Sequence, residues 1–117
     1  MHISMPRGDI RIIEFSVSSG ENQEDINFTE IYFTVKKKYT DVDFVIQKRL
    51  STGGITKTAP HTYQIRIEPN DTNNLPINKI GEWYDFDIEL VFEDLIKETR
   101  CGEFVLTKEV TYAANEG

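Results

Sequence analysis

The sequence predicts an all-β domain, a β-sandwich of seven to eight mostly antiparallel strands. The stretch Gly81–Phe92 carries the prediction first. Tyr84, Phe86, Ile88, Leu90 and Phe92 recur there at every second position, and Asp85, Asp87 and Glu89 fill the places between them. That alternation marks a strand with one buried face and one wet face. Similar short runs recur along the chain with turn residues between them, and no window shows helical periodicity.

Taken in order, Arg11–Val17 reads as a strand with Ile13, Phe15 and Val17 inward. Residues 18–25 form a polar loop. Asn27–Lys38 follows, with Ile31, Phe33 and Val35 inward. Phe44–Leu50 reads as a strand whose inward face holds Phe44, Ile46, Leu50 and also Lys48, its ammonium reaching water at a sheet edge. Ser51-Thr52-Gly53-Gly54 is expected to close a hairpin. Ile55–Lys57 is a short edge strand, with Pro60 interrupting pairing. Thr62–Glu68 points Tyr63, Ile65 and Ile67 inward. Pro69–Asn74 suits one helical turn, capped by Asn70 or Asp71. After the central strand, Glu93-Asp94 turns the chain, Lys97–Arg100 pairs back, Gly102 marks a bulge, and Phe104 and Leu106 resume the inward face. A Tyr near the start of the central strand matches the corner Tyr of immunoglobulin-like sandwiches, which makes that the expected architecture.

The chain has 117 residues, room for a single domain (1–117) with an ordered core of about residues 7–111. Its 13 Lys and Arg against 20 Asp and Glu leave a formal net charge of -7. Such a balance disfavours nucleic acid and anionic membranes as partners. Cys101 is the only cysteine, so no internal disulfide is available, and a small buried thiol is expected there. No apolar run resembles a signal peptide or a membrane span, so synthesis in a cytoplasm is expected, with translation starting at Met1 or Met5.

No residue pattern calls for catalysis, a cofactor or a metal. Asp85, Asp87 and Glu89 sit about 7 Å apart along one strand face, too widely for one Ca²⁺ without loop ligands. They read as a solvated face offset by Lys97 or Lys108 across the strand. His2 and His61 lie far apart in sequence, and neither belongs to a ligand set. Arg7-Gly8-Asp9 spells an adhesive tripeptide but reads as a turn in which Gly8 takes positive φ. Asn27-Phe28-Thr29 and Asn70-Asp71-Thr72 are glycosylation sequons in a chain with no secretory signal. Lys36-Lys37-Lys38 reads as a solvated strand end.

Six strings in order resemble a known group of proteins. They are Arg7–Asp9 ahead of a strand, Ile31–Lys37, Gln47–Leu50, Ile67–Leu75, Tyr84–Leu90 and Gly102–Thr111. Together, from about Arg7 to Thr111, they resemble the small immunoglobulin-like structural proteins of tailed phages and prophages of Gram-positive bacteria, in particular the N-terminal domain of phage baseplate upper proteins. The resemblance implies a non-catalytic virion component, made in the bacterial host cytoplasm and assembled with other tail or baseplate proteins. It carries over no site residues. The receptor-binding or coiled-coil extension of those proteins does not follow here, which leaves the place in the virion open.

Two modes of action follow. One is assembly, as a homo-oligomer or as a monomer that oligomerises only on its partner. Ile10 and Ile12 place apolar side chains on the wet face of the first strand, Val105 does so on the last long strand, and Tyr112 in the tail. The other is carbohydrate or cell-surface binding, with Trp83, Tyr39 or Tyr112 stacking on sugar rings.

Overall fold

The computed structural model describes residues 1–17, 27–77 and 81–108. The strands are β1 (His2–Pro6), β2 (Arg11–Ser16), β3 (Glu30–Lys36), β4 (Ile46–Arg49), β5 (Ile55–Ala59), β6 (Thr62–Ile67), β7 (Glu82–Phe92) and β8 (Leu95–Thr107). One short helix, α1, spans Pro69–Thr72. A five-stranded sheet has the order β1-β8-β7-β3-β4, and a three-stranded sheet the order β2-β6-β5. The chain is therefore all-β, with β7 at the middle of the larger sheet. Pairing is antiparallel except between β1 and β8, which run parallel.

One core lies between the two sheets. The inward side chains of β7 (Tyr84, Phe86, Ile88, Leu90) meet those of β3 (Ile31, Phe33, Val35) and β8 (Phe104, Leu106). From the other sheet come Ile13 and Phe15 of β2 and Tyr63, Ile65 and Ile67 of β6. Phe33 and Phe86 lie 5.4 Å apart between ring centres, and Phe15 stacks on Tyr63 at 5.6 Å. Such pairs add to the burial term through their ring quadrupoles. The turn from β7 to β8 has positive φ at both Glu93 and Asp94, the two-residue geometry that matches strand twist.

Several expectations are corrected. The ordered chain does not begin at residue 7: β1 precedes it, and Ile3 and Met5 are buried in the core. Their partner is β8, at the far end of the sequence, and the local alternation that announces them, His2-Ile3-Ser4-Met5, holds only two apolar residues. Arg7–Ile10 then carries the chain to the other sheet. Gly8 has φ +87°, and its N–H donates to Thr72 Oγ1 at 2.8 Å. Arg7 Nη1 donates to the Leu75 carbonyl at 3.2 Å.

The strand expected from Phe44 starts only at Ile46, and Phe44 is exposed. The cause is a tight loop. Asp41 N–H donates to the Lys38 carbonyl at 3.0 Å, Lys38 N–H returns to the Asp41 carboxylate at 3.2 Å, and Lys36 Nζ donates to the Asp41 carbonyl at 2.9 Å. Residues 51–54 do not close a hairpin, because β4 and β5 belong to different sheets. Glu30 holds this crossing. Its carboxylate accepts from Ser51 N–H at 3.0 Å and Ser51 Oγ at 2.6 Å, and lies 3.3 Å from Arg49. Burial works against the charge, but the hydrogen bonds from Ser51 and Ile31, with Arg49, outweigh it and hold the carboxyl below its ordinary range.

Lys48 does face inward with Ile46, but its ammonium is not in water. It meets Asp71 of α1 at 2.6 Å, with both side chains largely covered. Asp71 also accepts the Glu68 N–H at 2.7 Å, so the helix is capped at Glu68 and not at Asn70 or Asp71. Gly102 makes no bulge. The register shift lies between Leu90 and Val91 of β7, while Gly102 pairs regularly with Phe86. What requires glycine is crowding: a Cβ would stand 2.2 Å from the Met1 carbonyl oxygen and 2.8 Å from the Phe86 ring.

Candidate functional site

The surface residues singled out by the sequence separate. Ile10 and Ile12 are 53% and 48% exposed. They lie just before and within β2, an outer strand of the smaller sheet, and Ile12 stands opposite Arg66 of β6. Val105 is only 6% exposed, against expectation. Its strand is not at the sheet edge, because β1 lies beside β8 and sets Ser4 opposite Val105, with Trp83 on the other flank. Tyr112 lies outside the described residues. Among the described contact residues, Ile10 and Ile12 are exposed and Val105 is not.

A second apolar surface was not anticipated. Tyr39, Val42, Phe44 and Val45 are all exposed on the loop between β3 and β4, Val42 at 93%. Exposed Trp83 is tied to the start of the same loop, since its carbonyl accepts from Lys37 Nζ at 2.9 Å. Lys37 also pairs with Glu82 at 2.7 Å. Asp41-Val42-Asp43-Phe44-Val45 alternates acid and apolar residues, a signal obscured by assigning Phe44 to the core.

Tyr39 lies down on the larger sheet. Its N–H donates to Asp85 at 3.2 Å and its hydroxyl to the Phe86 carbonyl at 2.9 Å. Burial of the hydroxyl, contact with Cys101 and the Asp85 charge push its pKa up to about 12. Cys101 itself is exposed, not buried as expected, because it stands opposite Asp87 on the outer face.

The acid row occupies that outer face but is half-buried, not freely solvated. Its cross-strand neighbours are also not Lys97 and Lys108. Asp85 stands between Lys36 and Glu103, Asp87 between Thr34 and Cys101, and Glu89 between Tyr32 and Thr99. Among the described residues no three His, Cys, Asp or Glu converge to hold a metal, and no helix is long and apolar enough to cross a membrane.

Asp87 Oδ1 is buried without a hydrogen-bond partner. Burial raises the Asp87 pKa, with Lys36 opposing. A carboxyl with a raised folded pKa favours folding when protonated, and that contribution is lost as pH rises through the folded value. Asp87→Asn should therefore melt higher than the wild type at pH 7. The gain should shrink as pH falls through the folded pKa of Asp87. A variant that melts lower at pH 7 would mean that the charge is well accommodated.

Comparison with protein-family models, with curated proteins and with solved structures finds no match for this chain. The site therefore rests on its own geometry. The described residues offer two apolar patches and a polar aromatic sheet face, which are means of contact.

Proposed function

We propose that this protein is an assembly module of an immunoglobulin-like sandwich type, a phage or prophage virion structural protein of the tail or baseplate kind. It acts by protein–protein contact and catalyses no reaction. It is made in the bacterial host cytoplasm and resides in the virion after assembly. Five strands facing three, with the first strand parallel to the last, agree with the immunoglobulin-like arrangement. The ordered strings from Arg7 to Thr111 support the phage reading.

The observation that carries the assembly reading is the pair Ile10 and Ile12, exposed together at an outer strand. Outer strands are templates for pairing, and apolar side chains there favour a covered surface. Light scattering over a concentration series tests it. The wild-type mass should rise with concentration, or on addition of an identified tail or baseplate protein, and Ile12→Glu should remain monomeric under both conditions. If both proteins stay monomeric throughout, the assembly reading falls. Exposed Trp83 and Tyr39 then make a carbohydrate-binding module the reading to test on a glycan array.

A further inference from the structure

We infer that the open edge of β2 receives an extended strand of another protein, antiparallel to β2, with a basic side chain opposite Glu14 and a large apolar one opposite Ile12. This rests on the assembly reading and names both the contact and the chemistry of its occupant. The direction of the backbone groups carries it. Val17 N–H donates to the His61 carbonyl at 2.7 Å, in the register that sets Phe15 opposite Tyr63 and Ile13 opposite Ile65. Ile13, Phe15 and Val17 therefore turn their N–H and carbonyl groups towards β6, and Ile12, Glu14 and Ser16 turn theirs away from it. The far side of β6 agrees. Arg66 N–H donates to the Gly54 carbonyl at 3.0 Å, so the alternate residues of β6 serve β5. Among the described residues no strand lies beyond β2, since β1 pairs with β8 in the other sheet. The Ser16 carbonyl accepts from Arg100 Nη1 at 2.9 Å. Ile12 and Glu14 each keep an outward N–H and carbonyl with no hydrogen bond among the described residues.

Donors and acceptors alternating along a line match another extended backbone. The other sheet edges are blunted. β5 has a register shift between Lys57 and Ala59 and runs into Pro60. β4 is four residues long. β1 ends on Pro6, which has no N–H and whose carbonyl accepts from Asp9 N–H at 3.3 Å. β2 has six residues, with neither proline nor register shift. Its outer-face side chains set the chemistry of the occupant. Ile12 stands opposite Arg66 and Glu14 opposite Gln64, and both are exposed. Glu14 accepts from Gln64 Nε2 at 3.4 Å but has no ion pair among the described residues. A basic residue across the strand pair supplies the missing charge, and an apolar one two positions away covers Ile12. The residue between them points inward beside Ile13, where an apolar side chain extends the core. The net charge of -7 repels a second copy and attracts a basic segment, so the donor is a different protein.

A synthetic strand tests this. The peptide acetyl-Gly-Thr-Lys-Val-Ile-Thr-Gly-amide, antiparallel to β2, sets its Lys opposite Glu14 and its Ile opposite Ile12. Nuclear magnetic resonance follows amide exchange in the intact chain, alone and with millimolar peptide. In the free chain the Ile12 and Glu14 amides should exchange fast and those of Ile13 and Phe15 slowly, because only the latter are bonded to β6. The peptide should slow Ile12 and Glu14 and leave Ile13 and Phe15 unchanged. N-methylation at its Lys and Ile amides, which face β2, should weaken binding by at least about tenfold. N-methylation at its Val amide, which faces away, should leave binding as it was. Glu in place of its Lys should weaken binding about fivefold. If Ile12 and Glu14 are already slow in the dilute free chain, the edge is filled from within and takes no donor. If the peptide slows no amide of β2, or the Lys- and Ile-methylated peptide binds like the parent, the contact is not this edge, while light scattering still decides assembly. If the Glu peptide binds as well as the Lys peptide, the basic donor is wrong. If the peptide pairs with β2 but the chain stays monomeric throughout the light-scattering series, the edge stands and the assembly reading falls.

Discussion

Replacing Phe86 by Ala should lower the unfolding free energy by about 3–5 kcal/mol, a large share of what a domain of this size possesses. Phe86 is 1% exposed, stands at the centre of the larger sheet, and meets Phe33 ring to ring. Neighbours on both sides restrict its replacement. Val35 of β3 and Gly102 of β8 are its cross-strand partners, and the ring fills the space that the missing Gly102 side chain leaves. Truncation leaves a cavity that paired strands close poorly, so lost transfer energy and lost packing add together. Urea unfolding followed by circular dichroism measures the effect. A midpoint within experimental error of the wild type would mean that β7 buries its other face.

Gly102→Val should be the most damaging single addition of atoms. The first added carbon already meets the Phe86 ring and the Met1 carbonyl oxygen well inside contact distance, and valine adds two methyl groups more. Overpacking of this kind costs about 1–3 kcal/mol. The damage also has a direction. Glu103 N–H donates to the Met1 carbonyl at 3.2 Å, next to the crowded position, so β1 should be pushed from β8. Hydrogen exchange should show lost protection at Ile3 and Met5 while Phe33 and Ile88 keep theirs. Unchanged protection of β1 in a variant of unchanged stability would overturn this account of Gly102.

Much of the fold was legible because alternation is strong wherever one face is fully buried. β2, β3, β6 and β7 each repeat β-branched or aromatic residues at period two, and their inward sets are the ones that form the core. What alternation does not encode is which strand lies beside which. That ignorance explains the misreadings together. With β1 unseen, Val105 reads as exposed, and the Met1 carbonyl that crowds position 102 is unseen too, so Gly102 reads as a bulge. Lys48 shows a different gap. A charge on an inward face is legible, but its partner Asp71 comes from a helical turn that packs there only in three dimensions. Strand parity places Ile12 on the wet face of β2, and both Ile10 and Ile12 are exposed. The patch around Val42 was missed because Phe44 fits both an inward strand residue and a loop, and only the hydrogen bonds of Asp41 decide between them.

The parallel pairing of β1 with β8 also bears on how the chain reaches this state. His2 faces Glu103, nearly the whole chain away, and β2 and β6 are likewise distant in sequence. Topologies dominated by such contacts fold in milliseconds to seconds, because the chain must close long loops before the contacts form. The closure entropy grows only slowly with loop length, so the cost falls on rate more than on stability. Ile3 and Met5 have no partner strand until residues 103–107 are in place, and the first residues of the chain therefore complete the larger sheet only after the last strand exists.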